Sequence, residues 1–206
     1  MGLIRLFRKT RTPARQAIIG EKQSANVVKS YHTSFGRYCR LIKDYRYYSG
    51  STSHQVDCIA INSSGIFIIE VKNWVGIVRG GFDDTMWEVL RRGYNPHHYA
   101  NPIKQNIGHL NSFKKIYKGR MPVYSLVVMA GNNRPLNIPG VRNLKELARY
   151  FEEIPKGKYG KDRIDQEYNY IVSLKNQISD KEHLRNINTI KQERTLRIQK
   201  SKQIKR

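Results

Sequence analysis

The sequence has little cysteine, no long apolar run and few acidic residues. Its 206 residues include two cysteines, Cys39 and Cys58, which by themselves provide neither a disulfide framework nor a zinc site. No apolar run reaches the roughly 18 residues that a transmembrane helix needs. The apolar patch at residues 3–7 is interrupted by Arg5 and is too short for a secretory signal. We therefore expect a soluble protein of a reducing compartment, the cytoplasm.

The shortage of acidic residues leaves a strong positive charge. Lys and Arg number 38 against 16 Asp and Glu, which gives a formal net charge of +22. Residues 1–16 hold five basic residues and no acidic one, and residues 191–206 have a net charge of +6. The ends therefore carry half of the charge, and the rest of the chain is itself basic. Such a charge favours nucleic acid as the first partner and an anionic membrane surface as the second.

The apolar content predicts a folded domain. Hydrophobic residues make up 39% of the chain, with 13 Tyr and six Phe, which excludes a wholly disordered polycation. Apolar periodicity predicts helices at about 13–32, 102–119, 144–154 and 167–190, strands at 38–48, 54–61, 66–74 and 123–130, and a hairpin at 75–90. Segment 155–162 is predicted to be a linker. This order indicates a mixed α/β domain followed by a helical region.

One predicted hairpin places charged residues together. A turn centred between Ser63 and Ser64 would pair residues whose numbers sum to 127, so that Asp57 faces Glu70 across two antiparallel strands. Lys72 lies two residues farther on the same face. A one-residue slip of the register would separate the two acids.

Two facing carboxylates repel each other unless something between them compensates their charge. A hard divalent cation would turn the repulsion into a binding site, and Lys72 beside it could position or help deprotonate an attacking water. Asp57, Glu70 and Lys72 together indicate metal-assisted hydrolysis of a phosphodiester. The alternative at this point is a surface salt-bridge patch on a half-exposed sheet.

The chain resembles the PD-(D/E)xK nuclease core and, more narrowly, the nuclease-related domain, NERD. The resemblance lies in short pieces whose order and spacing match, namely Gly20-Glu21, Gln55-Val56-Asp57, the run 65–74 with Gly76 after it, Trp87, and Asn101-Pro102 with Gln105 and His109. One departure is Val56, which precedes Asp57 where the pattern often has proline. The matching pieces extend over roughly 14–130.

The resemblance implies an αβββαβ restriction-endonuclease-like core with a mixed central sheet and Mg²⁺-dependent cleavage of nucleic acid, with Mn²⁺ as the alternative ion. It implies that Asp57 and Glu70 hold the metal, with Glu21 of the first helix nearby, and that Lys72 and Gln105 complete the catalytic set. We divide the chain into a basic N-terminal segment at 1–13, the nuclease-like domain at 14–131, a C-terminal helical extension at 132–190 and a basic tail at 191–206.

Basic and aromatic residues near this set are candidates for contacts to nucleic acid. Gln105 and His109 share a helix face at a spacing of four residues. The loop predicted at 91–99 mixes arginine, histidine and tyrosine, a composition that suits contacts to phosphates and bases. The residues expected to bind nucleic acid are Arg91, Arg92, His97, His98, Lys104 and His109.

The leading hypothesis is a metal-dependent nuclease that acts on DNA rather than RNA. The second is a nucleic-acid-binding module with the same fold and no cleavage, although such a binder gains nothing from acids that face phosphate. The third is a peripheral membrane protein anchored by the apolar patch of Leu3, Ile4, Leu6 and Phe7, which is marginal for that role.

Overall fold

The strands form two sheets, and helices cover both faces of the larger one. The computed structural model describes residues 22, 24–29, 37–131, 136–154, 157–175, 178–179, 181–190 and 192. The mixed α/β fold expected from the sequence is confirmed. None of the described helices has the length and apolar composition that would span a bilayer.

The elements follow one another in a simple order. The strands are β1 (Cys39–Ser49), β2 (Thr52–Asn62), β3 (Gly65–Lys72), β4 (Ile77–Arg79), β5 (Met86–Leu90), β6 (His97–Ala100), β7 (Val123–Met129) and β8 (Val141–Asn143). The helices are α1 (24–29), α2 (Pro102–Ile116), α3 (Leu147–Glu153), α4 (Lys161–Ser173) and α5 (181–190). The larger sheet has the order β1-β2-β3-β7-β8, with β3, β7 and β8 parallel, and the smaller sheet has the antiparallel order β4-β5-β6.

The register of the β2–β3 hairpin is the one that the sequence predicts. The ladder runs from the pair Cys58 and Ile69 to the pair Asn62 and Gly65 at the turn, and it stops short of the expected pair of Asp57 and Glu70. The Asn62 side chain accepts the Gly65 N–H at 3.3 Å, which closes the turn locally. Gly65 has a φ of 151°, and a β-carbon there would lie 2.7 Å from the Pro122 carbonyl oxygen. Glycine is therefore required where β3 begins, and it helps to fix the register.

Two buried clusters lie on opposite faces of the larger sheet. On one face, Phe113 of α2 and Ile171 of α4 pack with Ile68 of β3. On the other face, Phe151 of α3 packs with Phe67, and α1 contributes to the same cluster. Because successive side chains of a strand point to opposite faces, the even-numbered residues of β3 point toward α2.

The pairing of β1 with β2 is interrupted at one position. Asp44 has a φ of 47°, which is uncommon for a residue other than glycine. The described ladder omits Asp44 and its opposite residue Asp57. Val56 and Ile59 lie on either side of Asp57 and belong to the same buried cluster, although residues three apart in a regular strand point to opposite faces. Asp57 therefore lies at a break in the regular alternation.

The C-terminal half contains more structure than the sequence analysis predicts. The single helix predicted at 167–190 is wrong, because α4 begins at Lys161 and ends at Ser173 and α5 is a separate helix. The short strand β8 extends the larger sheet beyond β7.

The region predicted as a loop at 91–99 contains the start of β6, which pairs with β5. The edge strand β1 buries Tyr45 and Tyr47 completely, which assigns these two tyrosines to the core.

The start of α2 is fixed by one buried asparagine. The Asn101 side chain accepts the N–H of Ile103 at 2.9 Å and so caps the helix. Its amide nitrogen donates to the carbonyl oxygens of Gly81, Phe82 and Asp84 at 2.7–3.2 Å. Asn101 therefore joins α2 to the loop between β4 and β5.

Replacing Asn101 with alanine removes the cap and leaves carbonyl oxygens without their donor. We expect Asn101→Ala to lower the free energy of unfolding by about 1–3 kcal/mol, measured by urea denaturation. Asn111→Ala is the matched control, because Asn111 lies at an exposed position of the same helix. Equal stability of the two variants would contradict this role.

Candidate functional site

Four of the predicted site residues meet at the end of β3. The Lys72 ammonium lies 2.6 Å from Glu70 Oε1 and 3.1 Å from Gln105 Oε1. The Gln105 amide nitrogen donates to Glu70 Oε1 at 2.7 Å, which closes a triangle of hydrogen bonds. The Glu70 side chain is only 4% exposed. Asp57 accepts the Val71 N–H at 2.8 Å, so its carboxylate lies against the same strand.

The fold positions these side chains from two directions. Glu70 and Lys72 follow Ile68 on the face of β3 that is turned toward α2. The buried Asn106 of α2 donates to the Ile68 carbonyl oxygen at 2.9 Å and to the Leu126 carbonyl oxygen at 3.1 Å. Because these bonds fix α2 against β3 and β7, the neighbouring Gln105 is held beside Glu70.

The two acids are electrostatically coupled. Burial, and next to it the charge of Glu70, raises the pKa of Asp57 to about 7. The Val71 N–H and the Lys72 ammonium act in the opposite direction and are outweighed. The metal-free protein therefore holds two carboxylates in a place that disfavours the ionisation of Asp57.

His109 lies beside Glu70 as a neutral imidazole. Its Nε2 atom is 3.6 Å from Glu70 Oε2. Burial, helped by Lys72, lowers the pKa of His109 to about 4, so this contact is not an ion pair near neutral pH. Neither ring nitrogen of His109 has a hydrogen-bond partner within the part of the chain that the structure describes. Both nitrogens are buried, so the polar capacity of this imidazole is unsatisfied in the described part of the chain.

A cavity of about 400 Å³ extends from the carboxylates to α5. Asp57 and Glu70 lie at one end, and His183, Ile187 and Ile190 of α5 form a wall of the other. The sequence analysis missed this wall. The spacing of four and three residues along α5 places the three side chains on one helix face, and that periodicity was the available signal.

The cavity also contains a histidine of β2 that the sequence analysis missed. His54 lines the cavity and stacks on Tyr47, with 5.2 Å between the ring centroids. Burial, and next to it His109, lowers the pKa of His54 to about 4. No spacing of residues in the sequence indicated this position.

The other predicted nucleic-acid contacts lie outside the cavity. Arg91 donates to the Val75 carbonyl oxygen at 2.6 Å, and Lys104 donates to the Asp83 carbonyl oxygen at 2.7 Å. The remaining three, Arg92, His97 and His98, are exposed on or next to the smaller sheet. Trp87 of this sheet packs in one cluster with Met129 of β7, which is the strand partner of Lys72. The smaller sheet is thereby attached near the lysine end of the site.

Two predictions fall on residues that the structure does not describe. Glu21, the first-helix acid, lies outside the described residues, as does the apolar patch at 3–7. Their proposed roles stay predictions from the sequence.

The donor set of the site suits Mg²⁺. Within the described ranges, no group of three or more His, Cys, Asp or Glu side chains has the arrangement of a metal site. Mg²⁺ does not need one, because it keeps several waters and is commonly held by one or two carboxylates together with substrate phosphates. The coupled carboxylates of Asp57 and Glu70 provide such a pair, and a cation between them would remove their repulsion.

The chain matches a known protein family. The family model of NERD, the nuclease-related domain, matches residues 16–130, which is more than half of the chain. No curated protein and no solved structure shows significant similarity to the chain. The matched range contains Asp57, Glu70, Lys72, Gln105 and His109, whereas α5 lies beyond it.

The raised pKa of Asp57 predicts a pH-dependent instability of the metal-free protein. Between pH 3.8 and about 7, the folded protein keeps a proton on Asp57 that the unfolded chain has released. The contribution of Asp57 to the free energy of unfolding is therefore lost as the pH rises from 3.8 to about 7. We expect Asp57→Asn to raise the free energy of unfolding at pH 8 in EDTA by on the order of 2 kcal/mol, and by much less at pH 4.

Urea denaturation at both pH values measures this effect. Asp83→Asn is the control, because it makes the same change at an exposed position. An equal effect of Asp57→Asn at pH 4 and pH 8 would contradict the coupling of the two carboxylates.

Proposed function

Because the chain belongs to the nuclease-related domain family, we propose that it is a Mg²⁺-dependent nuclease that hydrolyses phosphodiester bonds of DNA. The observation that carries the proposal is the hydrogen-bonded triangle of Glu70, Lys72 and Gln105 beside the buried carboxylate of Asp57. A surface salt-bridge patch would not need a glutamate that is only 4% exposed.

Each side chain has a role in the proposed hydrolysis. Asp57 and Glu70 would hold the cation, which supplies a Lewis acid to polarise the phosphate and lower the pKa of a bound water. The Lys72 ammonium would stabilise negative charge that develops on the phosphate oxygens. The Gln105 amide carries both a donor and an acceptor, so it can orient a water against the phosphate.

The acids distinguish this proposal from a non-catalytic binding module. A carboxylate pair repels phosphate, so Asp57 and Glu70 would weaken the binding of DNA by a protein that does not cleave it. With a cation between them, the same pair attracts the phosphate. The basic side chains elsewhere in the chain would supply affinity that does not depend on sequence, through release of counterions from the DNA.

Loss of the lysine should remove cleavage without unfolding the protein. We expect Lys72→Ala to reduce the rate of plasmid nicking in Mg²⁺ by at least about 10²-fold, because the phosphate loses its cationic partner. Nicking by the wild type should disappear in EDTA and return with Mg²⁺ or Mn²⁺. The readout is gel analysis of supercoiled DNA and of a labelled single-stranded DNA over time, with circular dichroism as the test of folding.

Lys114→Ala is the control for this experiment, because Lys114 is exposed in the last turn of α2. Metal-dependent nicking that persists at the wild-type rate in both Lys72→Ala and Asp57→Asn would remove this site from the reaction. Absence of any cleavage by the wild type, together with strong binding that weakens with salt, would favour the binding module.

The exposed arginine next to the smaller sheet should act only through phosphate. We expect Arg92→Ala to weaken binding of all DNA sequences alike and to reduce the slope of log K against log salt by about 1. Fluorescence anisotropy over a range of salt concentrations measures both quantities. Arg149→Ala on α3, across the larger sheet from α2, should leave the slope unchanged although Arg149 is 79% exposed. A sequence-dependent loss in Arg92→Ala would contradict a pure phosphate contact.

A further inference from the structure

The cavity next to the carboxylates has an apolar and aromatic part with no role in the hydrolysis described above. His54, His109 and His183 bring three imidazole rings to its lining, and Ile187 and Ile190 bring aliphatic side chains. None of the described residues that line it is a lysine or an arginine. Among these described side chains a phosphate would therefore meet two acids and no lysine or arginine, whereas a neutral planar group would meet rings and aliphatic carbons.

The size of the cavity limits what can enter. Its volume of about 400 Å³ lies near the lower end of the range for small-molecule pockets, roughly 300–1,000 Å³. One nucleobase with its sugar suits such a volume. A base within a duplex must first be unpaired and unstacked before it can reach a pocket, and that costs free energy that a single strand does not spend.

The chemistry of the lining matches an unpaired base. Histidine rings are among the side chains on which splayed bases stack. The ring nitrogens of His109 have no hydrogen-bond partner among the described residues and are both buried, so the ring must turn before it bonds to the edge of a base. Gln105 lines the same cavity and reaches Glu70, which places the base pocket next to the proposed hydrolytic centre.

The wall of the cavity is held in place. The Nδ1 atom of His183 lies 3.0 Å from the Ser53 hydroxyl, and Asn186 accepts the Ser53 N–H at 3.0 Å. Glu182, the residue before His183, accepts a hydrogen bond from the Tyr48 hydroxyl at 2.7 Å. These bonds attach α5 to the strands β1 and β2, so the pocket is a built feature of the fold. Since α5 lies outside the family match at 16–130, the pocket depends on a part of this chain beyond the family domain.

We propose that this cavity receives an unpaired nucleobase next to the scissile phosphate, so that the substrate is single-stranded DNA or a frayed end rather than an intact duplex. The inference rests on the proposed nuclease function of the same site. In this arrangement the phosphate lies at the mouth of the cavity beside Lys72, and the base extends toward Ile187 of α5.

A variant that fills the pocket tests the proposal. Ile187→Trp places a large ring on the face of α5 that lines the cavity. The probe is a fluorescein-labelled single-stranded DNA, compared with the same strand in a blunt duplex, with fluorescence anisotropy recorded in EDTA at several salt concentrations. We expect the wild type to bind the single strand about tenfold more tightly than the duplex, and Ile187→Trp to lose that preference.

The control is Leu184→Trp, which puts the same ring on the same helix at a side chain that is 58% exposed. It should keep the preference for the single strand. If Ile187→Trp does not fold, Ile190→Trp at a side chain that is 37% exposed provides the same test with a smaller packing change. A wild type that binds the blunt duplex as tightly as the single strand would overturn the proposal, as would a filled pocket that leaves single-strand binding unchanged.

The failure of this inference is distinguishable from failure of the nuclease function, because binding in EDTA needs no cleavage. Metal-dependent nicking without a pocket-dependent preference for single strands would support the nuclease function and reject the base pocket. A pocket-dependent preference without cleavage would support a binding site for single strands and reject the proposed hydrolysis.

Discussion

The repulsion between two carboxylates at the end of one hairpin is the constraint on which the rest of the site depends. Burial and the neighbouring Glu70 raise the pKa of Asp57 to about 7. Such a pair does not by itself stabilise the fold, because two like charges close together in a buried place repel each other. The surrounding bonds from Lys72 and Gln105 offset part of this repulsion, and the proposed cation would offset the rest.

Rigid elements of the fold hold Asp57 and Glu70 in position. The β2–β3 ladder ends at the pair Cys58 and Ile69, directly before the two acids, and the Val71 N–H holds Asp57 against β3. Asn106 fixes α2 against β3 so that Gln105 reaches Glu70. The β1–β2 ladder is broken at Asp44 and Asp57, so the Asp57 side chain does not follow the regular alternation of β2. Beyond the family domain, α5 adds a wall to the cavity next to these residues, which in the proposed mechanism connects hydrolysis to the choice of substrate.

The sequence predicts much of the centre of the fold and less of its periphery. The turn at Asn62–Gly65 determines the register, and alternation then places Glu70 and Lys72 toward α2, so these features follow from local rules. The strand β8 has three residues, which is too short for periodicity to reveal. The break between α4 and α5 is hidden because the apolar residues Ile171, Leu174 and Ile178 continue at helical spacing across it. The contact of α5 with Ser53 is a long-range packing event that no local pattern encodes.

Anomalous diffraction from crystals soaked in Mn²⁺ decides whether the carboxylates of Asp57 and Glu70 form a cation site. We expect an anomalous peak between the two carboxylates in the wild type and no peak at that position in Asp57→Asn. A wild-type crystal with Mn²⁺ bound elsewhere and the Asp57–Glu70 position empty would rule out this cation site.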